Sequence, residues 1–277
     1  MFKGKKSLSF VVVAVCLFMG LGGVASAGPV LKMASTTSTA NTGLLDFLAP
    51  LFQKDTGIEL QFVAVGTGKA LALGKNCDVD VLLVHAPATE KKYVADGYGV
   101  DRKEVMYNDF VIIGPKADPA KVKGLSVTKA LATIAEKAAV FASRGDNSGT
   151  NKKEKTLWAA AKMAVPEKES WYVQTGQGMI KTINVASEKG GYTMTDRGTF
   201  IKYAHNHKGN PPLVVLVEGD KVLFNQYSVM LVNPAKCKNV KSDLAKKFSD
   251  WITSRKTQKA IGEFELLGKK LFIPNAK

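Results

Sequence analysis

The amino-acid sequence predicts an α/β protein with two lobes, each a mostly parallel sheet flanked by helices, joined by two crossing strands. Short β-rich runs alternate with helical patterns, which is typical of parallel strands connected by helices. The alternation restarts after Pro115, which indicates a second sheet. Runs near 107–114 and 226–233 are candidates for chain crossings between the lobes. The first lobe is therefore predicted to comprise residues 28–112 and 230–277, and the second lobe residues 113–229.

The individual elements follow from hydrophobic periodicity. Short continuous apolar runs predict buried strands, and apolar residues three and four positions apart predict helices. In the first half of the chain we expect strands at 30–34, 59–65, 79–85 and 110–114, and helices at 44–53, 69–74 and 89–96. After Pro115 we expect strands at 138–142, 192–195, 213–218 and 229–232, helices at 127–136, 153–164 and 179–189, and closing helices within 242–267. Trp251 lies on an apolar face of these closing helices.

The N-terminus has the pattern of a secretory signal peptide. Three lysines precede an apolar run at 10–24, and Ala25-Ser26-Ala27 follows as a cleavage motif. We therefore expect residues 1–27 to be a signal peptide cleaved after Ala27. The mature protein is expected to be soluble and located in the periplasm.

Lysine dominates the charge balance. The formal net charge is +15, and three of the lysines belong to the predicted signal peptide. An exported protein meets little nucleic acid, and no basic patch is interleaved with aromatic residues, so we expect no nucleic-acid partner. Attraction of a small anion and a solvated lysine-rich surface both fit this composition.

Two cysteines remain after the signal peptide, Cys77 and Cys237. An oxidising compartment and an even count permit a disulfide. Two separate buried thiols are equally compatible with the sequence, so the choice stays open here.

Two hydroxyl-rich turns lie where a predicted strand is followed by a helix. The first has five consecutive hydroxyl residues at 35–39, more than helix capping needs. The second contains Arg144, Asp146, Ser148, Gly149 and Thr150. The first amides of a helix have no internal partner and lie at the positive end of its dipole, so such turns are suited to anions. Because Arg144 adds a permanent charge, we predict an anion site; a plain helix N-cap beside a surface arginine is the alternative.

Two glycine-containing turns are more ambiguous. Gly66-Thr67-Gly68-Lys69 resembles the end of a nucleotide-binding loop, but Val63 and Ala70 stand where that motif needs Gly and Ser or Thr. We therefore expect no nucleotide. The turn can still donate backbone amides, whereas Lys69 could face either a cleft or water. The turn at 175–179 has the same ambiguity.

Catalytic patterns are weak, and we predict that the protein is not an enzyme. His205 and His207 lie in a stretch predicted to be a polar exposed loop, and His85 has the setting of a structural histidine. No serine occupies the nucleophile position of a Gly-x-Ser-x-Gly motif. An exported serine hydrolase using Ser38 or Ser148 is the alternative from another class, and the Arg-Gly-Asp triplet at 144–146 raises an adhesion role. No cofactor and no metal coordinated directly by side chains is expected.

Seven motifs together resemble the periplasmic tungstate-binding components of ABC transporters, over nearly all of the mature chain. They are STTST at 35–39, VGTGKAL at 65–71, DVLLVHAP at 80–87, NDFVIIGP at 108–115, SRGDNSGT at 143–150, WYVQTGQGM at 171–179 and YTMTDRG at 192–198. The resemblance implies a type II periplasmic binding protein fold that closes on tungstate, and usually molybdate, and then docks on a membrane permease. The expected oxyanion-binding residues are Thr36, Thr37, Ser38, Thr67, Gly68, Arg144, Ser148, Gly149 and Thr150. We expect a monomer.

One motif also resembles the anion turn of phosphate-binding proteins of the same fold. Arg-x-Asp-x-Ser-Gly-Thr at 144–150 therefore keeps a phosphate or sulfate receptor as the alternative. Tungstate and molybdate are fully deprotonated near pH 7 and need only hydrogen-bond donors, whereas phosphate carries a proton and needs an acceptor. Asp146 is either that acceptor or the residue that orients Arg144, and the remaining motifs favour the second role.

Overall fold

A computed structural model describes Met1 and residues 28–277. The signal peptide prediction therefore lies, apart from Met1, outside the described residues. Within them, the helices are too short or too polar to cross a membrane.

The elements alternate as the sequence predicts. The first half contains β1 (Val30–Thr36), α1 (Thr37–Ala40), α2 (Leu44–Thr56), β2 (Glu59–Val65), α3 (Thr67–Lys75), β3 (Val81–Val84), α4 (Pro87–Ala95) and β4 (Gly99–Pro115). The second contains α5 (Val127–Glu136), β5 (Phe141–Ser143), α6 (Gly149–Ala160), β6 (Tyr172–Gln174), α7 (Met179–Glu188), β7 (Tyr192–Asp196), α8 (Arg197–Asn206) and β8 (Leu213–Val217). A 3-10 turn (Lys221–Leu223) leads to β9 (Phe224–Val232), α9 (Ser242–Thr253), α10 (Arg255–Glu263), β10 (Glu265–Leu266), β11 (Lys269–Lys270) and β12 (Ile273–Pro274).

Strand β4 connects two sheets. One sheet has the order β2-β1-β3-β9-β4, with β1 parallel to β2 and β3, and the other has the order β4-β7-β5-β6, with β5 parallel to β6 and β7. Up to Asp109, β4 pairs with β9, whereas from Phe110 it pairs with β7 and β8. Strand β9 returns the chain from the second sheet to the first. The α/β architecture of sheets flanked by helices is thus confirmed, while the lobe limits within β4 and β9 stay a prediction. Each sheet is mixed, because the crossing strands β4 and β9 pair antiparallel with their neighbours.

Both faces of each sheet are buried, which explains the continuous apolar runs of the sequence. In β3, Val81 and Leu83 pack into one hydrophobic cluster, and Leu82 and Val84 into another on the opposite face. The end of β4 behaves the same way, because Phe110 and Ile112 face one cluster while Val111 and Ile113 face the other. Alternate residues of a strand point to opposite faces, so every side chain here needs to be apolar.

Several element predictions were wrong. His205, predicted to lie in a loop, is in the last turn of helix α8, whereas His207 lies just after the helix. Helix α8 buries little apolar surface and therefore gives a weak periodic signal. The closing helices end at Glu263, because the backbone of Phe264 is extended, and Leu267 and Gly268 then adopt left-handed backbone angles that turn the chain into a short hairpin. The start of β4 was missed because its charged residues interrupt the apolar pattern. Strand β6 was also missed.

The two cysteines form a disulfide, with 5.4 Å between their Cα atoms. Cys77 follows α3, and Cys237 lies in the segment after β9. The bond therefore joins two segments of the first lobe that are far apart in sequence, and it decides the alternative that the sequence left open.

Candidate functional site

A cavity of about 510 Å³ lies between the two lobes, where strands end and helices begin. Five helices start at its wall: α1, α3, α6, α7 and α8. Ligands of open α/β sheets bind outside the carboxyl ends of the strands, which is the position of this cavity. The lining residues are Thr36, Thr37, Ser38, Asn41, Thr42, Val65, Gly66, Thr67, His85, Arg144, Ser148, Gly149, Thr150, Gly178, Met179, Ile180, Asp196, Gly198, Thr199, Lys202 and Leu266.

Most of the residues predicted from the sequence meet at this cavity. Both hydroxyl-rich turns line it, one from each lobe, and so does Thr67. Gly68 lines a neighbouring cavity instead. The role of these residues as oxyanion ligands stays a prediction.

The five hydroxyls of the first turn divide into two groups. Ser35 donates to the backbone oxygen of Leu83 (2.7 Å), and Thr36 caps α1 by accepting from the amide of Thr39 (3.3 Å). Ser35, Thr36 and Thr39 are buried, whereas Thr37 and Ser38 are exposed to the cavity. Three hydroxyls therefore build the turn, and two face the cleft.

His85 adds a feature that the sequence did not place in the site. Its Nε2 lies 2.9 Å from the hydroxyl oxygen of Thr36 and 3.1 Å from that of Ser38, and its Nδ1 lies 2.9 Å from Oδ1 of Asn225. The amide nitrogen of Asn225 donates to Asn108 (2.8 Å), so its oxygen is left to accept from Nδ1–H. This network leaves Nε2 as an acceptor for the hydroxyl protons.

The charge state of His85 fits this network. Burial lowers the pKa of the imidazole below its ordinary value and outweighs the hydrogen bond with Asn225, which raises it. The ring also packs against Tyr227, with 4.7 Å between the ring centroids. His85 is therefore a neutral residue that orients the hydroxyls of the first turn. Its structural role was predicted, but its place in the site depends on Asn225, which is remote in sequence.

In the second turn, Asp146 holds Arg144 in place. Nη2 of Arg144 donates to one carboxylate oxygen (2.5 Å), and the amide of Ser148 donates to the other (3.1 Å). Burial alone would raise the pKa of Asp146, but the bonds from Ser148 and the charge of Arg144 lower it below its ordinary value. Nε of Arg144 is buried and has no protein partner within the described chain, so the guanidinium keeps an unsatisfied N–H beside the cavity that Arg144 lines.

The buried carboxyl group of Glu154 stabilises the turn that carries Arg144. Glu154 accepts from the hydroxyl of Ser143 (2.7 Å), the indole of Trp158 (3.1 Å) and the phenol of Tyr172 (2.5 Å). Ser143 in turn accepts from the amide of Gly145 (3.2 Å), next to Arg144. Burial raises the pKa of Glu154, although these donors act in the opposite direction. The network fixes the backbone that carries Arg144.

Two helices at the cavity begin without a side-chain cap. Gly66 precedes α3 and Gly178 precedes α7, and neither can accept from the first amides of its helix. These amides are therefore available to an anion. The amides of α3 were predicted as a possible donor set, and the turn before α7 was one of the two ambiguous turns.

Residues of α8 that line the cavity were not predicted from the sequence. Asp196 caps this helix, accepting from the amide (2.8 Å) and the hydroxyl (2.7 Å) of Thr199. Lys202 donates to the backbone oxygen of Asn41 across the cleft. An Asp followed three positions later by Thr after an apolar strand was the available signal. His205 and His207 are exposed and line neither cleft cavity.

Comparisons with known proteins agree with this geometry. The family described as a PBP superfamily domain matches residues 23–256. The tungstate-binding protein TupA of Campylobacter jejuni is 52% identical over 240 residues, which are 87% of this chain and 89% of that protein. This chain belongs to the TupA family of the PBP superfamily. The family resemblance read from the seven motifs is thus confirmed.

Solved structures of TupA-like proteins extend the match to the fold. The tungstate-binding protein TupA of Desulfovibrio alaskensis G20 has a TM-score of 0.88 at 68% identity, over 90% of this chain and all of that chain. The tungstate ABC transporter structure from Geobacter sulfurreducens has a TM-score of 0.74 at 48% identity, over 85% of this chain and 98% of that chain. The predicted type II periplasmic binding protein fold is confirmed.

Proposed function

We propose that this chain is the substrate-binding component of an ABC transporter, and that it captures tungstate, and also molybdate, in the periplasm. The observation that carries the proposal is the chemistry of the cavity wall. Hydroxyls, uncapped backbone amides and one guanidinium supply donors, and Asp196, the carboxylate on this wall in the described chain, accepts from Thr199 through both oxygens. A fully deprotonated oxyanion needs such a set. The relatives named as tungstate-binding proteins support the same ligand.

Closure of the two lobes follows from the placement of the donors. Thr37 and Ser38 belong to the first lobe, and Arg144 and Ser148 to the second. A ligand shifts an open–closed equilibrium only by its different affinity for the two states, so contacts from both walls are required. The oxyanion is cargo rather than a cofactor, and we propose no cofactor.

A phosphate receptor fits the cavity less well. A protonated phosphate requires an acceptor at the cavity, and Asp146, whose carboxylate accepts from Arg144 and Ser148, does not line it. This favours the orienting role of Asp146. An adhesion role for the Arg-Gly-Asp triplet is disfavoured for a related reason, since Arg144 and Asp146 pair with each other.

The chain is a receptor rather than an enzyme, as are the tungstate-binding relatives. Ser38, His85 and Asn225 nevertheless have the spacing of a nucleophile, a base and an orienting residue. In a receptor, the same arrangement sets the direction of the Ser38 hydroxyl. Ser148, the other serine of the hydrolase alternative, caps α6 by accepting from the amide of Asn151 (3.3 Å).

Competition calorimetry tests the ligand. The purified chain is titrated with tungstate, molybdate, sulfate and phosphate at one pH, and each weak ligand is then displaced by tungstate. We expect tungstate and molybdate to bind one shared site with 1:1 stoichiometry, and a large excess of sulfate or phosphate to compete poorly. Tightest binding of phosphate would instead make the chain a phosphate receptor.

Export and assembly complete the proposal. We propose cleavage after Ala27, a monomeric mature chain and docking on a membrane permease. N-terminal sequencing of the periplasmic fraction tests the cleavage site, and light scattering coupled to gel filtration tests the monomer. A mature chain beginning elsewhere, or a stable dimer, would contradict these two points.

A further inference from the structure

A second cavity of about 510 Å³ adjoins the first within the cleft, and its wall carries three lysines. Lys69 comes from the first turn of α3 in one lobe, Lys152 comes from the first turn of α6 in the other, and Lys153 follows it in α6. We call this cavity the lysine chamber. Its remaining lining residues in the described chain include neither Asp nor Glu.

The two cavities share part of their walls. Gly66, Thr67, His85, Ser148 and Gly149 line both. An anion that moves from the lysine chamber to the first cavity therefore stays beside the starts of the same two helices, α3 and α6. The two cavities are therefore adjacent.

Two of the three lysines, Lys69 and Lys152, stand at electrostatically unfavourable positions. A cation in the first turn of a helix lies beside the positive end of the helix dipole. Within the described residues, none of the three ammonium groups has a carboxylate within 4.0 Å. Within the described chain, the Nζ atom of Lys153 donates one long hydrogen bond, to the backbone oxygen of Phe224 at 3.5 Å, and burial lowers the pKa of Lys153. These lysine charges destabilise the protein when no anion is bound, and a bound anion would reduce that destabilisation.

The walls of the lysine chamber increase the effect of these charges. Pro87, Phe110 and Phe224 contribute apolar surface. Low-dielectric walls around charges of one sign concentrate the electric field and raise the association rate of an oppositely charged ligand. Closure also brings Lys69 towards Lys152 and Lys153, because they lie on opposite lobes, and their mutual repulsion opposes closure of an empty cleft.

We propose that the lysine chamber is a transit site that attracts a dianionic inorganic oxyanion and delivers it to the first cavity. Its function is to speed association, whereas the hydroxyl turns and Arg144 determine how long the ion stays. This inference rests on the proposed oxyanion-binding function and assigns a role to Lys69, which the sequence left between cleft and solvent.

The test compares a triple variant, Lys69→Gln with Lys152→Gln and Lys153→Gln, with the wild-type chain and a matched control. The control is Lys168→Gln with Lys238→Gln and Lys247→Gln, three exposed lysines that line neither cavity and form no salt bridge in the described chain. Association and dissociation rates for tungstate are measured by stopped-flow tryptophan fluorescence at low and high ionic strength. Trp158 is the reporter, since it bonds to Glu154 beneath the Arg144 turn.

We expect the triple variant to associate about tenfold more slowly than the wild type at low salt, within the range known for electrostatic steering. Its dissociation rate should change by less than about twofold, and the association rates should converge near 1 M salt, where screening acts over about 3 Å. Its melting temperature should equal or exceed that of the wild type. The control should match the wild type.

An unchanged association rate at low salt would overturn the inference, as would an equal slowing in the control. A faster dissociation at unchanged association would also overturn it, because the lysines would then be ordinary ligands of the bound ion. Absence of oxyanion binding in the wild type would refute the proposed function itself, which separates the two failures.

Discussion

Replacing Arg144 with alanine is expected to lower tungstate affinity by about tenfold or more. The guanidinium is the single side-chain cation of the second turn that lines the first cavity, and Asp146 holds it in position. Its Nε–H is buried and has no protein partner in the described chain, so at least one donor is free for the oxyanion.

The expected magnitude follows from that free donor. A hydrogen bond to a charged group contributes roughly 1.5 to 3 kcal/mol, and each 1.4 kcal/mol corresponds to about a tenfold change in the dissociation constant. The loss of one such bond therefore predicts a roughly 10- to 150-fold weaker complex. The loss also frees the carboxylate of Asp146 near the bound dianion, which adds repulsion and moves the effect towards the upper limit.

Isothermal titration calorimetry measures the change, with circular dichroism to check the fold. Arg144→Lys keeps the charge but loses the planar fork, so it should be weakened less than the alanine variant. Adding Asp146→Asn to Arg144→Ala should recover the part of the loss that is due to repulsion. Arg255→Ala, at an exposed arginine on α10, is the matched control and should bind like the wild type. An unchanged titration of Arg144→Ala would refute the assignment of Arg144 as the cationic ligand.

Three further predictions concern stability. Burial lowers the pKa of His85 below its ordinary value of 6.5, so the unfolded chain takes up a proton first as the pH falls. The free energy of unfolding should therefore decrease below about pH 6.5. Urea denaturation at pH 7.5 and 5.5 should show a smaller decrease for His85→Gln, and an identical decrease would contradict the buried neutral state. Glu154→Ala should lower the free energy of unfolding by about 3 kcal/mol or more, because three buried donors lose their acceptor. Tyr172→Phe removes only one donor and should lower it by about 1 kcal/mol. Equal losses in the two variants would argue against the network. Replacing Cys77 and Cys237 with alanine should lower the free energy of unfolding by about 2 to 4 kcal/mol, since the disulfide closes a loop with a sequence separation of 160. Tungstate affinity should stay unchanged. Chemical reduction that leaves the wild-type melting temperature unaltered would contradict this prediction.

The cleft could be predicted from local sequence because its principal parts are contiguous. Each hydroxyl-rich turn joins a strand to a helix within a few residues, so both the geometry and the donor chemistry are encoded locally. The residues 35–39 illustrate the point, since their surplus of hydroxyls over capping needs is met by Thr37 and Ser38 facing the cleft.

His85 could be placed only in three dimensions. Its tautomer depends on Asn225 and Asn108, which β9 and β4 bring together from distant parts of the chain. The same limit applied to Lys69, whose neighbours across the lysine chamber belong to the other lobe.

Missed elements share a different cause. Helix α8 buries chiefly Gly198 and Tyr203, so it lacks a continuous apolar face. The first part of β4 is stabilised by pairing with β9 over residues whose charged side chains hide the strand pattern. In both cases tertiary contacts outweigh the local hydrophobic signal.

Anomalous diffraction at the tungsten absorption edge, from crystals grown with tungstate, tests the central claim most directly. The ion should appear as one strong peak between the two turns, within hydrogen-bond distance of Ser38 or Thr37 on one side and of Arg144 on the other. A peak outside the cleft, or one that contacts a single lobe in a closed molecule, would contradict the account.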